Sequence, residues 1–145
     1  MSAPRSAGIT VFLFLASLPG HAQDQAKTGC NGSTVEDYSP GVVPKAQQFL
    51  STLKTLVKAD NREEIGRLVR YPLAVNSAKV HRRIRSRAEF VKSYDTLFTA
   101  AIKRAIERQA PECLFANWQG VMIGSGEVWF EEQSTGEMKI KALNR

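Results

Sequence analysis

Two observations predict an α+β fold with helices packed on one face of an antiparallel sheet. Between Pro44 and Ile106 the apolar residues recur at helical spacing; from Leu114 to Leu143 short apolar stretches are separated by glycine-containing turns. Helices first and consecutive strands afterwards place the helices against one sheet face.

The chain has 145 residues. Its first segment, Met1 to Ala22, reads as a removable export signal: Arg5 precedes an apolar run from Ile9 to Leu18, and small residues precede Gln23. A run this short falls below the roughly 20 apolar residues that span a bilayer, and no later stretch is long enough. A soluble product outside the cytoplasm, periplasmic or secreted, is expected. Gln23 to Val43 is rich in Gly, Ser, Asn, Asp and Pro without apolar period, and reads as a flexible leader. Residues 44–145 then make one domain, since roughly 120 residues bury one modest core.

Ala46, Phe49, Leu50, Leu53, Leu56 and Val57 define a first amphipathic helix, with Pro44 in its first turn. Asp60, with Glu63 three residues on, predicts a cap for a short second helix carrying Ile65, Leu68 and Val69 and ended by Tyr71-Pro72. Leu73 to Val75 and Val80 to Ile84 read as a hairpin around Asn76-Ser77-Ala78. Ser86 and Glu89 form a capping box that opens a long third helix, its apolar face running from Phe90 through Tyr94, Phe98 and Ile102 to Ile106. After Pro111, strands are predicted at Leu114 to Trp118, Val121 to Ile123, Glu127 to Glu131 and Met138 to Leu143.

Cys30 and Cys113 are the only cysteines, and in an exported chain they are most simply read as one disulfide; two unpaired thiols are the alternative. The formal net charge is +6, and the signal accounts for one cation, Arg5. Five cations cluster in nine residues: Lys79, Arg82, Arg83, Arg85 and Arg87. In a strand, Arg83, Arg85 and Arg87 would share one face and suit an anionic partner surface; the plainer reading is a solvated edge whose charges discourage strand pairing. Nucleic acid is not expected, because of the compartment and because no aromatic ladder is interleaved.

His81 has no second histidine or carboxylate cluster at ligand spacing, so no metal is expected. Gly124-Ser125-Gly126 is followed by strand-forming residues rather than a helix, which favours a turn or bulge over a phosphate cradle. No nucleophile elbow, triad or cofactor motif is visible, and no cofactor is expected. The residues best placed to reach a pocket are Tyr71, Tyr94, Asp95, Asn117, Trp118, Glu127 and Trp129, each of which also has an ordinary structural use.

The order of elements resembles the nuclear transport factor 2-like (SnoaL-like) superfamily. Three stretches are similar to an exported bacterial branch of it: Leu68-Val69-Arg70-Tyr71-Pro72-Leu73, Phe90 to Asp95, and Leu114-Phe115-Ala116-Asn117-Trp118-Gln119-Gly120-Val121-Met122-Ile123-Gly124. The resemblance covers roughly Pro44 to Asn144. It implies a cone-shaped curved sheet against a long helix, with two shorter N-terminal helices, and homodimer pairing through open sheets. It carries over no catalytic residue.

Three functions follow as expectations. The first is a non-catalytic binding domain for a small molecule or envelope protein. The second is a small cofactor-independent acid-base enzyme with Asp95 or Glu127 as base and Tyr71 or Tyr94 as oxyanion donor. The third is an electrostatic adaptor carried by Arg82, Arg83, Arg85 and Arg87.

Overall fold

The computed structural model describes Cys30 and residues 32–145. The export signal read at residues 1–22, and leader residues 23–29 and 31, lie outside the described residues. In chain order the elements are α1 (Val35–Tyr38), α2 (Val43–Lys58), α3 (Arg62–Arg67), β1 (Val69–Asn76), β2 (His81–Ile84), α4 (Arg87–Leu97), α5 (Ala100–Arg108), β3 (Phe115–Asn117), β4 (Gly120–Ile123), β5 (Val128–Glu132) and β6 (Met138–Asn144). Two 3-10 turns, Pro40–Val42 and Pro111–Cys113, join them.

Order begins earlier than Pro44. Thr34 and Asp37 cap each other's backbone to start α1, Val35 is buried, and Thr34 forms a bridge to Phe115. The last part of the expected leader is therefore built into the domain. A disulfide between Cys30 and Cys113 holds the same region to the 3-10 turn before β3.

α2 buries Ala46, Phe49, Leu50 and Leu53, the stripe its spacing predicts. The cap of α3 falls one residue later than expected: Asn61, not Asp60, accepts from the Glu64 amide, while Asp60 takes a positive φ of 49°. The short helix stops at Arg67, so Tyr71-Pro72 lie inside β1 rather than ending the helix.

The long helix is two helices. Phe98 leaves helical geometry, and Thr99, in extended geometry, accepts from the Ile102 amide to start α5. A threonine hydroxyl can satisfy the first amides of a new helix as well as it tolerates the interior of an old one. The break lets Phe90, Tyr94, Leu97 and Phe98 on α4, and Ile102 and Ile106 on α5, all be buried. Ser86 caps α4 as predicted by accepting from the Glu89 amide, but the Glu89 carboxylate reaches back to the Arg85 amide.

The sheet has six strands in the order β2-β1-β6-β5-β4-β3, and its two outer strands do not pair with each other. It is mixed rather than antiparallel, because β1 and β6 run parallel while every other neighbouring pair is antiparallel. The pairing slips between Val69 and Ala74 of β1, where Pro72 lacks a donor, and again beside Lys141, where β6 carries one residue more than β5. Such extra residues bend and twist a ladder, and the sheet curls. One face packs on the helices through Leu73, Val75, Val121, Ile123, Val128, Phe130 and Ile140; Phe49 of α2 stacks on Phe130 with centroids 4.6 Å apart.

Candidate functional site

Among the described residues, the opposite face of the sheet is only partly covered. Register places Phe115, Met122, Trp129, Ala142, Ala74 and Arg83 side by side in one row across β3, β4, β5, β6, β1 and β2. Paired residues share a face, so five apolar side chains form a band ending in a guanidinium. All five are only half-buried. The Phe115 ring stands edge-on to Trp129, with centroids 6.5 Å apart.

Trp118, in the turn between β3 and β4, is 81% exposed. With Trp129, Ala142, Lys141, Asn76 and Asn144 it lines a hollow of about 430 Å³ on this face. One wall of the hollow is a hydrogen-bonded run: Asn144 donates to the Gly126 carbonyl, Asn76 Nδ2 donates to Asn144 Oδ1 at 2.9 Å, and His81 meets Asn76 Oδ1 at 3.1 Å. Beside it Glu131 holds two cations, Lys141 at 2.6 Å and Arg70 at 2.8 Å. Burial pushes the Glu131 carboxyl up, but the Lys141 hydrogen bond and the charges of Lys141 and Arg70 outweigh it and hold it below the usual range.

At the other end of the band a cleft of about 750 Å³ opens between α5 and the turn joining β4 to β5. Phe115 and Met122 are in its wall, together with Arg104 and Arg108 of α5, Glu127 and the Cys30–Cys113 bridge. Gln109 ties this region together. Its side-chain amide donates to the carbonyls of Ala110 and Cys113, and its oxygen accepts from the Gly124 amide at 2.8 Å. Gly124 has a φ of +70°, and a Cβ there would lie 2.9 Å from the Cβ of Ala105, so the turn sits directly on the helix.

The other predicted residues are dispersed. Tyr71 donates to the Gly66 carbonyl at 2.9 Å, and burial pushes its phenol up to about 12. Tyr94 is fully buried against Phe90 and Phe98, beneath Arg62 and Lys103, whose charged ends lie 4.9 and 5.0 Å from its ring centre. Its hydroxyl has no partner among the described residues, and burial pushes it to about 12. Asp95, one residue further, points outward with a side chain 72% exposed and pairs with Arg62 at 2.8 Å. Arg62 also grips Asp60, and that bond holds the Asp60 carboxyl below its usual range. Glu127 turns its carboxylate to the Ser125 amide. Asn117 caps its own turn by accepting from the Gln119 amide at 2.8 Å. A carboxylate base facing a tyrosine donor is not assembled from these groups.

The arginine run does not form a single face. β2 stops at Ile84, the Arg85 amide binds Glu89, and Arg87 already belongs to α4, which is why the two-residue period fails after Arg83. Arg82 bonds Glu89 at 3.1 Å and reaches Ser93, and Arg87 lies 3.7 Å from Glu63. Arg83 alone joins the open face. Among the described residues no His, Cys, Asp and Glu cluster is arranged to hold a metal, and no helix is long and apolar enough to cross a membrane.

Trp118 and Trp129 of the hollow and Glu127 of the cleft are legible as candidates. Phe115, Met122, Arg104, Arg108 and Gln109 are not. Phe115 and Met122 read as ordinary strand residues, and Arg104 and Arg108 as the wet face of an amphipathic helix. Fold and surface together define an α+β domain with a curled, open sheet and a half-covered aromatic band. Comparison with known proteins gave no matching family model, no matching curated protein and no matching solved structure.

Proposed function

We propose that this chain is an exported, non-catalytic binding domain with the cone-like architecture of the nuclear transport factor 2-like superfamily, and that it engages a small molecule or an envelope protein through the open face of its sheet. The observation that carries this reading is the band from Phe115 to Ala74, flanked by Trp118 at 81% exposure. Isolated exposed apolar residues are ordinary, whereas a contiguous aromatic strip with a polar rim marks a contact surface. Tyr and Trp at such strips supply large buried area and one polar atom on binding. The dispersed Asp95, Glu127, Tyr71 and Tyr94 favour binding over acid-base chemistry. The disulfide fits an oxidising compartment.

The test is site-specific photocrosslinking in an envelope extract, with a photoreactive phenylalanine placed at position 118 or, as a control, at exposed Glu36 of α1. Adducts are expected from 118 and not from 36. Equal adducts from both positions, or none from 118, would overturn the reading. An adduct of twice the chain mass, formed by the purified protein alone, identifies the partner as a second copy.

A further inference from the structure

The cleft at the end of the band differs in chemistry from the face it adjoins. Arg104 and Arg108 are four residues apart on α5, so their side chains leave the helix on one side, and both line the cleft. Neither is in an ion pair among the described residues, whereas Arg62, Arg67, Arg70, Arg82 and Arg87 all are. The carboxylate that shares the cleft, Glu127, is turned to the backbone amide of Ser125 instead. Among the described residues lining it, two guanidiniums therefore face one carboxylate.

Ala101, Ala105, Phe115 and Met122 form the apolar part of the remaining wall, which Gln109 and Ser125 also line. From Phe115 and Met122 the apolar surface continues without interruption to Trp129, through the cross-strand row. The walls are fixed in place by the disulfide, by the three hydrogen bonds of Gln109 and by the contact of Gly124 with Ala105. A volume of about 750 Å³ is within the range of small-molecule sites, roughly 300–1,000 Å³.

We infer that this cleft takes a monoanionic amphiphile: a carboxylate held by Arg104 and Arg108, and an acyl chain lying along Phe115 and Met122 toward Trp129. A guanidinium fork matches a carboxylate in shape as well as charge. One negative charge balances the excess of one cation; a dianionic head would leave a charge uncompensated beside Glu127. The inference rests on the reading of this domain as a binding protein and names the ligand class for one end of its surface.

The experiment titrates the full, oxidised domain with dodecanoate below its micelle concentration, following Trp fluorescence and amide NMR shifts. Dodecanol, dodecyl phosphate and acetate are parallel arms. Dodecanoate is expected to bind at least tenfold more tightly than dodecanol or acetate and to move the resonances of Met122, Gly124 and the Trp129 indole. The double variant Arg104→Gln/Arg108→Gln should weaken it at least tenfold. Both side chains are exposed, so this variant should keep its fold, which the unperturbed NMR spectrum of the core residues checks. No dodecanoate binding, equal affinity for dodecanol, tighter binding of dodecyl phosphate, or an unchanged double variant would each overturn the proposal. Retention of crosslinks from position 118 in any of those outcomes would leave the binding face standing while the ligand class falls.

Discussion

Tyr94 shows how a residue suited to catalysis can be structural. Its ring fills the core between Phe90 and Phe98, and its hydroxyl is buried without a partner among the described residues. An unpaired buried hydroxyl costs stability, so Tyr94→Phe is expected to leave urea-unfolding stability at pH 7 unchanged or raised by about 1 kcal/mol. The same phenol is raised to about 12, against roughly 10 in an unfolded chain. Its contribution is therefore fully present below pH 10 and is lost as pH rises through 12, since the unfolded chain releases its proton first. Tyr71 behaves likewise. Alkaline unfolding followed by circular dichroism should be shallower in Tyr94→Phe and shallower again once Tyr71 is also replaced by Phe. Gly124 is the opposite case, a residue with no side chain whose absence is used. At a φ of +70°, with Ala105 2.9 Å from where a Cβ would stand, Gly124→Ala should lose about 1–3 kcal/mol in the same unfolding assay. Gly41, where an added Cβ meets nothing within 4 Å, is the control and should change by less than about 0.5 kcal/mol on Gly41→Ala.

Among the elements, those whose ends are written in local chemistry were legible and those set by distant partners were not. Ser86 announces α4 because its hydroxyl can satisfy only an amide a few residues ahead. The division between α4 and α5 is hidden because the apolar period runs unbroken past Thr99. Either one helix or two would bury Phe98 and Ile102, and only packing against the rest of the core decides. If Thr99 holds the start of α5 through its hydroxyl, Thr99→Ala should cost about 1 kcal/mol, whereas Thr99→Ser should cost much less; thermal unfolding separates the two. The strand positions were readable from glycine turns, but strand direction was not. Nothing local in Val69–Asn76 says that its neighbour is Met138–Asn144, running parallel. The candidate site divides the same way. Trp118 and Trp129 draw notice by their size, whereas Arg104 and Arg108 acquire meaning only when α5 and the β4–β5 turn come together.

For the whole molecule, the disulfide joins Cys30 to Cys113, at the point where helices give way to strands. Cys30 and Cys113 are 83 residues apart, and closing a loop of that length stabilises the fold by roughly 4 kcal/mol in the chain-entropy picture. The double variant Cys30→Ser/Cys113→Ser should lose about 2–4 kcal/mol in denaturant unfolding, with the greatest loss of amide protection around Val35 and Leu114. An equal loss spread over β1 and β2 would contradict this assignment, since those strands lie at the far edge of the sheet.

The sheet order has a bearing on the timing of synthesis. β2 and β1 make one ribbon, β3, β4 and β5 make another, and β6 is the strand that joins them. Until residues 138–144 have left the ribosome, each ribbon lacks its central neighbour and the hydrophobic layer between sheet and helices stays open. Pairing of high sequence separation is slow to form, so the chain should remain loose until β6 is available. For the export route proposed above, that delay is useful: a chain whose two ribbons wait for β6 stays threadable until residues 138–144 have been made.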